Sequence, residues 1–184
     1  SPPSSGGIHI IQILNILEHY PIASMGHNSA KTIHLMAEAM KYAYADRARY
    51  LGDTDFVKVP VQGLIAKGYA RRIKDQIDPF KPRSSRDIHH GEPSGYESGE
   101  TTHFSIVDRF GNAVSNTYTI NFSYGSGIVV EGAGFLLNNE MDDFSAKPGV
   151  PNAYGLIGGE SNRIQPGKRM LSSMSPTIVK KQGK

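Results

Sequence analysis

The sequence predicts an α+β fold, helical in its first half and β-rich in its second. Two observations carry this. Up to residue 77 the apolar residues recur at helical spacing, and from residue 102 they alternate with polar ones. Between the two patterns lies a stretch, 78–100, rich in Pro, Gly, Ser and charge and almost without core-forming side chains. A segment of that length without its own structure reads as a loop with a function or as a mobile tether.

In chain order, residues 8–20 are dense in aliphatics. Ile10, Ile13, Leu14 and Leu17 fit one helical face, and Pro21 stops the run. Residues 29–51 form a longer helical pattern capped by Asn28 or Ser29. Its stripe is Ile33, Met36, Ala37, Met40, Tyr44 and Ala48, and Gly52 ends it. Residues 60–77 give a third helical pattern, interrupted by Gly63 and Gly68. From Thr101 the period changes to two. Residues 102–108 and 112–121 alternate around an Arg109-Phe110-Gly111 turn, with Gly111 at the left-handed position of a three-residue hairpin loop. If Asp108 faces Asn112, paired numbers sum to a constant, and Thr101 falls opposite Thr119, with Asn121 on the same face as Thr119. Gly125, Gly127, Gly132 and Gly134 read as turns between short strands rather than as a phosphate-binding loop. Residues 147–169 are loop-like, and 171–179 read as a serine-rich turn entering a strand.

Composition limits the chemistry. With no Cys and no Trp, disulfides, thiolate metal sites and a cysteine nucleophile are excluded. The net charge of +3 is spread along the chain. The basic runs at 71–74 and 180–184 are short and lack aromatic platforms, which argues against a nucleic-acid partner. No apolar run approaches the ~20 residues of a membrane span. His89-His90 has no second ligand pair at metal-binding spacing. The chain begins without Met and ends in a charged stub, so both ends read as cut from something longer.

One junction stands out, Gly99-Glu100-Thr101-Thr102-His103-Phe104-Ser105. Thr101 and Thr102 either open a β-strand or mark a new N-terminus. A threonine that becomes an N-terminus carries a hydroxyl and a free α-amine on one residue, a nucleophile and base together. The acidic cluster at 138–143 is either a solvated turn or, at the end of a buried strand, a receiver for a ligand ammonium. The loop holding Tyr154 is either an Ω-loop or a lid.

Four strings in the second half resemble the γ-glutamyltranspeptidases: 101–105 (TTHFS), 117–121 (TYTIN), 136–145 (LLNNEMDDFS) and 171–177 (LSSMSPT). The resemblance places residues 1–100 at the end of that family's large subunit, helical and ending in a mobile loop. Residues 101–184 correspond to the start of the small subunit. It implies an N-terminal-nucleophile hydrolase fold, an αββα sandwich of which this chain is part. It implies autocatalytic cleavage between Glu100 and Thr101, with Thr101 as nucleophile and Thr119 orienting it. By the same resemblance Asn121, Glu140 and Asp143 hold the substrate α-ammonium, Ser172 and Ser173 its α-carboxylate, and Tyr154 is the lid tyrosine. The family arginine for the α-carboxylate lies upstream of this chain, and its oxyanion Gly-Gly pair lies downstream. Gly158-Gly159 falls in the lid segment and is not that pair. The isolated 184 residues are therefore expected to be inactive.

The implied partners are glutathione and other γ-glutamyl compounds, acceptor amino acids or peptides, and a large/small subunit heterodimer after cleavage. No cofactor is implied, and the implied location is periplasmic or secreted. A related cephalosporin or glutaryl acylase is the alternative on the same scaffold. The polar cluster of Asn121, Glu140 and Asp143 favours an amino-acid head group over a plain diacid.

Overall fold

The fold was taken from a computed structural model, which describes residues 6–93 and 105–181. Helix α1 (Gly7–Leu17) packs against α2 (Ala30–Tyr50) and α4 (Lys67–Lys74), with the single turn α3 (Val61–Leu64) between them. Ser29 caps α2, its hydroxyl accepting from the Thr32 N–H at 3.2 Å, an interaction worth ~1 kcal/mol. The break in the third helical pattern falls at Ile65-Ala66. Gly63 and Gly68 sit inside α3 and α4 instead. Gly52 follows α2 for a steric reason, because a Cβ there would lie 2.3 Å from the Ser161 carbonyl oxygen.

The core beneath these helices is built from Ile16, Leu35, Leu51, Val59 and Leu64, all essentially buried, with Tyr42, Tyr69 and Ile73 around them. Each fully buried aliphatic contributes about 1.5–3 kcal/mol. The buried faces differ from those the apolar stripes predict. On α1 they are Ile8, His9, Gln12, Asn15 and Ile16, while Ile10, Ile11 and Leu14 are exposed. On α2 they are Thr32, Leu35, Glu38, Ala39, Tyr42, Ala43 and Asp46, while Ile33, Met36, Met40 and Tyr44 are exposed. Both helices carry apolar residues on two faces, and the neighbouring helices take the face that also carries polar partners.

Those partners form a buried network. Asp46 accepts from Gln12 Nε2 (2.5 Å), the Tyr69 hydroxyl (2.7 Å) and the Gly91 N–H (2.8 Å). Burial pushes the Asp46 carboxyl up, and these three donors partly offset that. Residues 78–93 lie along α2 through such contacts. His34 Nε2 meets the Asp78 carbonyl, the Arg83 N–H donates to Glu38, Ile88 is buried in the core, and the Tyr50 hydroxyl donates to the Gly91 carbonyl at 2.6 Å.

In the second half, β1 (Ser105–Val107) and β2 (Ala113–Ser115) form an antiparallel hairpin. Its pairs are Ser105 with Ser115, Ile106 with Val114, and Val107 with Ala113, the register expected from an Asp108–Asn112 turn. Gly111 has φ +83°, as the loop type requires. The second strand ends at Ser115 and does not run to 121, and Asn121, at φ +70°, stands in a turn whose N–H bonds back to the Thr119 hydroxyl, so the two do not share a strand face. The expected opposition of Thr101 and Thr119 lies outside the described residues. A further turn joins Val130 to Phe135, whose N–H···O bond is 2.8 Å, with Gly132 and Gly134 at positive φ. Residues 171–181 form no strand and no helix.

The two halves interlock. Arg169 forks onto the buried Asp53 from Nε (3.0 Å) and Nη2 (2.6 Å), and its N–H adds a third bond at 2.8 Å. Burial alone would push Asp53 up, but the Arg169 bonds hold it below the usual carboxylate range. The Gly159 N–H reaches the Ala48 carbonyl, the Ser161 hydroxyl the Arg49 carbonyl, and the Gly6 N–H the Met174 carbonyl.

Candidate active site

The site is assembled from turns. Asn121 sits at φ +70°, which an Asx side chain tolerates better than most. Its N–H donates to the Thr119 hydroxyl at 2.9 Å, and its side-chain amide donates to the Asn139 carbonyl at 3.1 Å. Asn139 answers with its own side chain, whose Oδ1 accepts from the Phe122 N–H at 3.0 Å. These bonds fix the 119–122 turn against the start of the 3₁₀ turn Glu140–Asp143. Glu140 therefore stands next to Asn121, and Asp143 next to Glu140.

Their carboxyls hydrogen-bond each other. Burial, that bond and the neighbouring charge push Glu140 up to about 7, while the Asn121 N–H works in the opposite direction. Burial likewise pushes Asp143 up, against the Glu140 bond and the charge of Arg47. Two half-buried carboxyls in contact favour keeping one proton between them, and a nearby cation opposes that. Glu140 Oε1 is withdrawn from solvent and has no hydrogen-bond partner among the described residues. A ligand ammonium, with three donors, matches this arrangement.

Tyr154 is brought to the same place. Asn152 Oδ1 accepts the Tyr154 and Leu156 N–H groups, and Pro151 bridges Ile157, so the loop is a tight hairpin. The Asn152 amide donates to the Asp142 carbonyl at 3.2 Å. The Tyr154 ring meets Phe122 edge-on at 5.2 Å, and its hydroxyl donates to the Asn121 carbonyl at 3.3 Å. The tyrosine itself is exposed.

Ser173 joins the cluster through Arg47 of α2, whose Nη2 is 3.4 Å from the Ser173 hydroxyl. Ser172 instead accepts the Met174 N–H at 3.1 Å and turns its own segment. Glu100 and Thr101 lie outside the described residues. A cleft of about 220 Å³ is lined by Arg47, Asp143, Asn152, Leu156, Asn162 and Ser173, among others.

Two residues of this site were not predicted from the sequence. Asn162 is buried and joins the Glu140–Asp143 turn to the start of the 171–174 segment. Its amide donates to the Asp143 carbonyl at 2.7 Å, and its Oδ1 accepts the Leu171 N–H at 2.9 Å. Arg47 reads in the sequence as one more charge on a helix. The signal for both was the buried polar demand of the turns they serve, which a linear pattern does not display.

The γ-glutamyltranspeptidase family model matches residues 1–184. A glutathione hydrolase proenzyme of Escherichia coli (strain K12) is 62% identical over 183 residues, covering 100% of this chain and 32% of that protein. An acylase ACY 1 proenzyme of Pseudomonas sp. (strain SE83) is 43% identical over 183 residues, covering 100% of this chain and 30% of that protein. Among solved structures, a cephalosporin acylase from Bacillus halodurans superposes with a TM-score of 0.69 at 25% identity, over 94% of this chain and 28% of that one. The chain thus spans about a third of the length of these relatives. Matched along its whole length, the chain belongs to the γ-glutamyltranspeptidase family.

Proposed function

We propose that the protein containing these residues is a γ-glutamyltransferase and glutathione hydrolase that activates itself by cutting between Glu100 and Thr101. The observation carrying this reading is the cluster of Asn121, Glu140 and Asp143, which has the shape and charge of an ammonium receptor. Ser173 stands across Arg47 from it, where a carboxylate would lie. An α-ammonium and an α-carboxylate held together define an amino-acid head group, which leaves the γ-amide as the reacting bond.

In this reading the Thr101 hydroxyl attacks the Glu100 carbonyl carbon. The Glu100–Thr101 C–N bond breaks and an ester forms at the hydroxyl. Water then hydrolyses that ester, leaving a carboxylate on Glu100 and a free amine on Thr101. In the mature enzyme the hydroxyl attacks the γ-amide carbon of glutathione. The Thr101 α-amine, with a pKa of about 8, takes the hydroxyl proton and passes it to the leaving amine. The resulting γ-glutamyl ester is resolved by water or by an acceptor amine. Thr119 orients the nucleophile, and Tyr154, tied to the Asn121 turn, covers the head group.

The same reading divides the chain at 100/101 into large- and small-subunit portions, joined after cleavage by the Asp53–Arg169 fork. It assigns the exposed faces of α1 and α2 to the helical layer of an αββα sandwich, where they would cover a sheet. It also places the protein in the periplasm or outside the cell. No helix among the described residues is long and apolar enough to cross a membrane.

The sister reading, a glutaryl acylase, has one discriminating feature. A glutaryl amide is a γ-glutamyl amide without its α-ammonium, so it leaves Glu140 and Asp143 without a cation. Full-length protein is expected to release p-nitroaniline from γ-glutamyl-p-nitroanilide at least about tenfold more efficiently than from the glutaryl anilide. Equal or reversed preference would move the assignment to the acylase.

A further inference from the structure

Arg47 is a charged side chain half-buried between the two halves of the chain. It leaves α2 toward the 140–145 and 171–174 segments and lines the cleft with Asp143, Asn162 and Ser173. Its Nη2 reaches the Ser173 hydroxyl at 3.4 Å. Its Nε is cut off from solvent and has no partner among the described residues. It makes no direct ion pair with Asp143 among the described residues, yet the two charges act on each other. On its other side lie His9, which burial and Arg47 push down to about 4, and Tyr44. His9 is therefore neutral near pH 7 and adds no second positive charge beside Arg47. A guanidinium taken this far out of water is costly unless an anion balances it, and Asp143 is the carboxylate placed to do so.

We propose that Arg47 is a positioning residue of the amino-acid head-group site, aligning the Asp143 carboxylate and the Ser173 hydroxyl from α2. In this role it sets the preference for donors that carry an α-ammonium beside their carboxylate. The inference rests on the γ-glutamyl reading above and adds to it a residue from the first half of the chain. Asp143 faces Arg47, Glu140 and Asp142. Removing that cation leaves the three carboxyls to repel one another, and the Asp143–Glu140 pair holds its shared proton more tightly. A substrate ammonium then has a bound proton to displace and a less fixed partner to meet. A glutaryl donor, which has no ammonium, loses much less.

The test uses full-length protein carrying Arg47→Met or Arg47→Lys, with kcat and KM measured for γ-glutamyl-p-nitroanilide and glutaryl-p-nitroanilide. For Arg47→Met the KM for the γ-glutamyl donor is expected to rise about tenfold, with kcat within about threefold, which marks lost ground-state binding. The ratio of kcat/KM between the two donors is expected to fall at least about fivefold, and Arg47→Lys, which keeps the charge but not the planar fork, to recover part of it. A merely structural role would lower both donors together and leave the ratio unchanged, and that result would overturn the proposal. Should Arg47→Met remain uncleaved, the ratio is read in Arg47→Lys, where an unchanged value overturns the proposal equally. A wild-type protein without preference for the γ-glutamyl donor overturns the parent reading, and Arg47's role with it. A selective wild type with an unmoved variant ratio overturns the role of Arg47 alone.

Discussion

At the scale of single residues, Glu140 carries the most informative charge. Burial and its bond to Asp143 hold its carboxyl near 7, so below that pH the pair keeps its proton and repels nothing. A substrate ammonium binds the ionised form. The KM for a γ-glutamyl donor is therefore expected to fall as pH rises through about 7, measured as a KM–pH profile on the full-length protein. Glu140→Gln removes that titration, so its profile flattens, and its KM at pH 8 rises roughly tenfold. A profile unchanged by the substitution would remove Glu140 from the site. The family strings single out Asn121, Glu140 and Asp143 in the sequence, and the turns that hold them are built from neighbouring residues. Arg47 and Asn162 were not legible there. Arg47 meets Ser173 across 126 residues, and no local pattern reports such a contact.

At the scale of elements, helix positions were legible and helix faces were not. Capping by Ser29 and the apolar spacing located α2 to within a residue or two. The same spacing put Ile33, Met36, Met40 and Tyr44 in the core, whereas these are exposed and Leu35, Ala39 and Tyr42 are buried. The deciding factor is polar. Asp46 offers its carboxylate to Gln12 on α1, Tyr69 on α4 and the Gly91 backbone at once. Rotating α2 to bury the other stripe would break all three bonds. Asp46→Ala leaves those donors buried without an acceptor and is expected to cost on the order of 3 kcal/mol, read from urea unfolding of the full-length protein. A cost below about 0.5 kcal/mol, the size of an ordinary surface change, would contradict the role given to the network. The hairpin register was legible because a turn with one left-handed Gly admits few pairings, and Ser105 indeed faces Ser115. The serine-rich turn expected at the start of 171–179 is present, with the Ser172 hydroxyl accepting the Met174 N–H, whereas the strand it was expected to enter is not.

At the scale of the whole molecule, the described residues form a helical layer with the 159–162 and 171–174 segments laid against the C-terminal end of α2. Asp53–Arg169, Gly159–Ala48, Ser161–Arg49 and Gly6–Met174 bind first half to second without using the 94–104 segment. A cut at residue 100 would therefore leave these contacts in place, which is what a self-processing precursor requires. The α+β character followed from the change of period near residue 100, and the family followed from the strings in the second half. The interlock between halves is long-range and could be seen only in three dimensions.

The most direct test of the central claim is the mass of the full-length protein before and after incubation, beside a Thr101→Ala variant. The account predicts that the wild type resolves into two chains separated between Glu100 and Thr101, the second beginning at Thr101, while Thr101→Ala stays whole. A wild-type protein that keeps one intact mass, or a Thr101→Ala variant that is cut at the same bond, would contradict it.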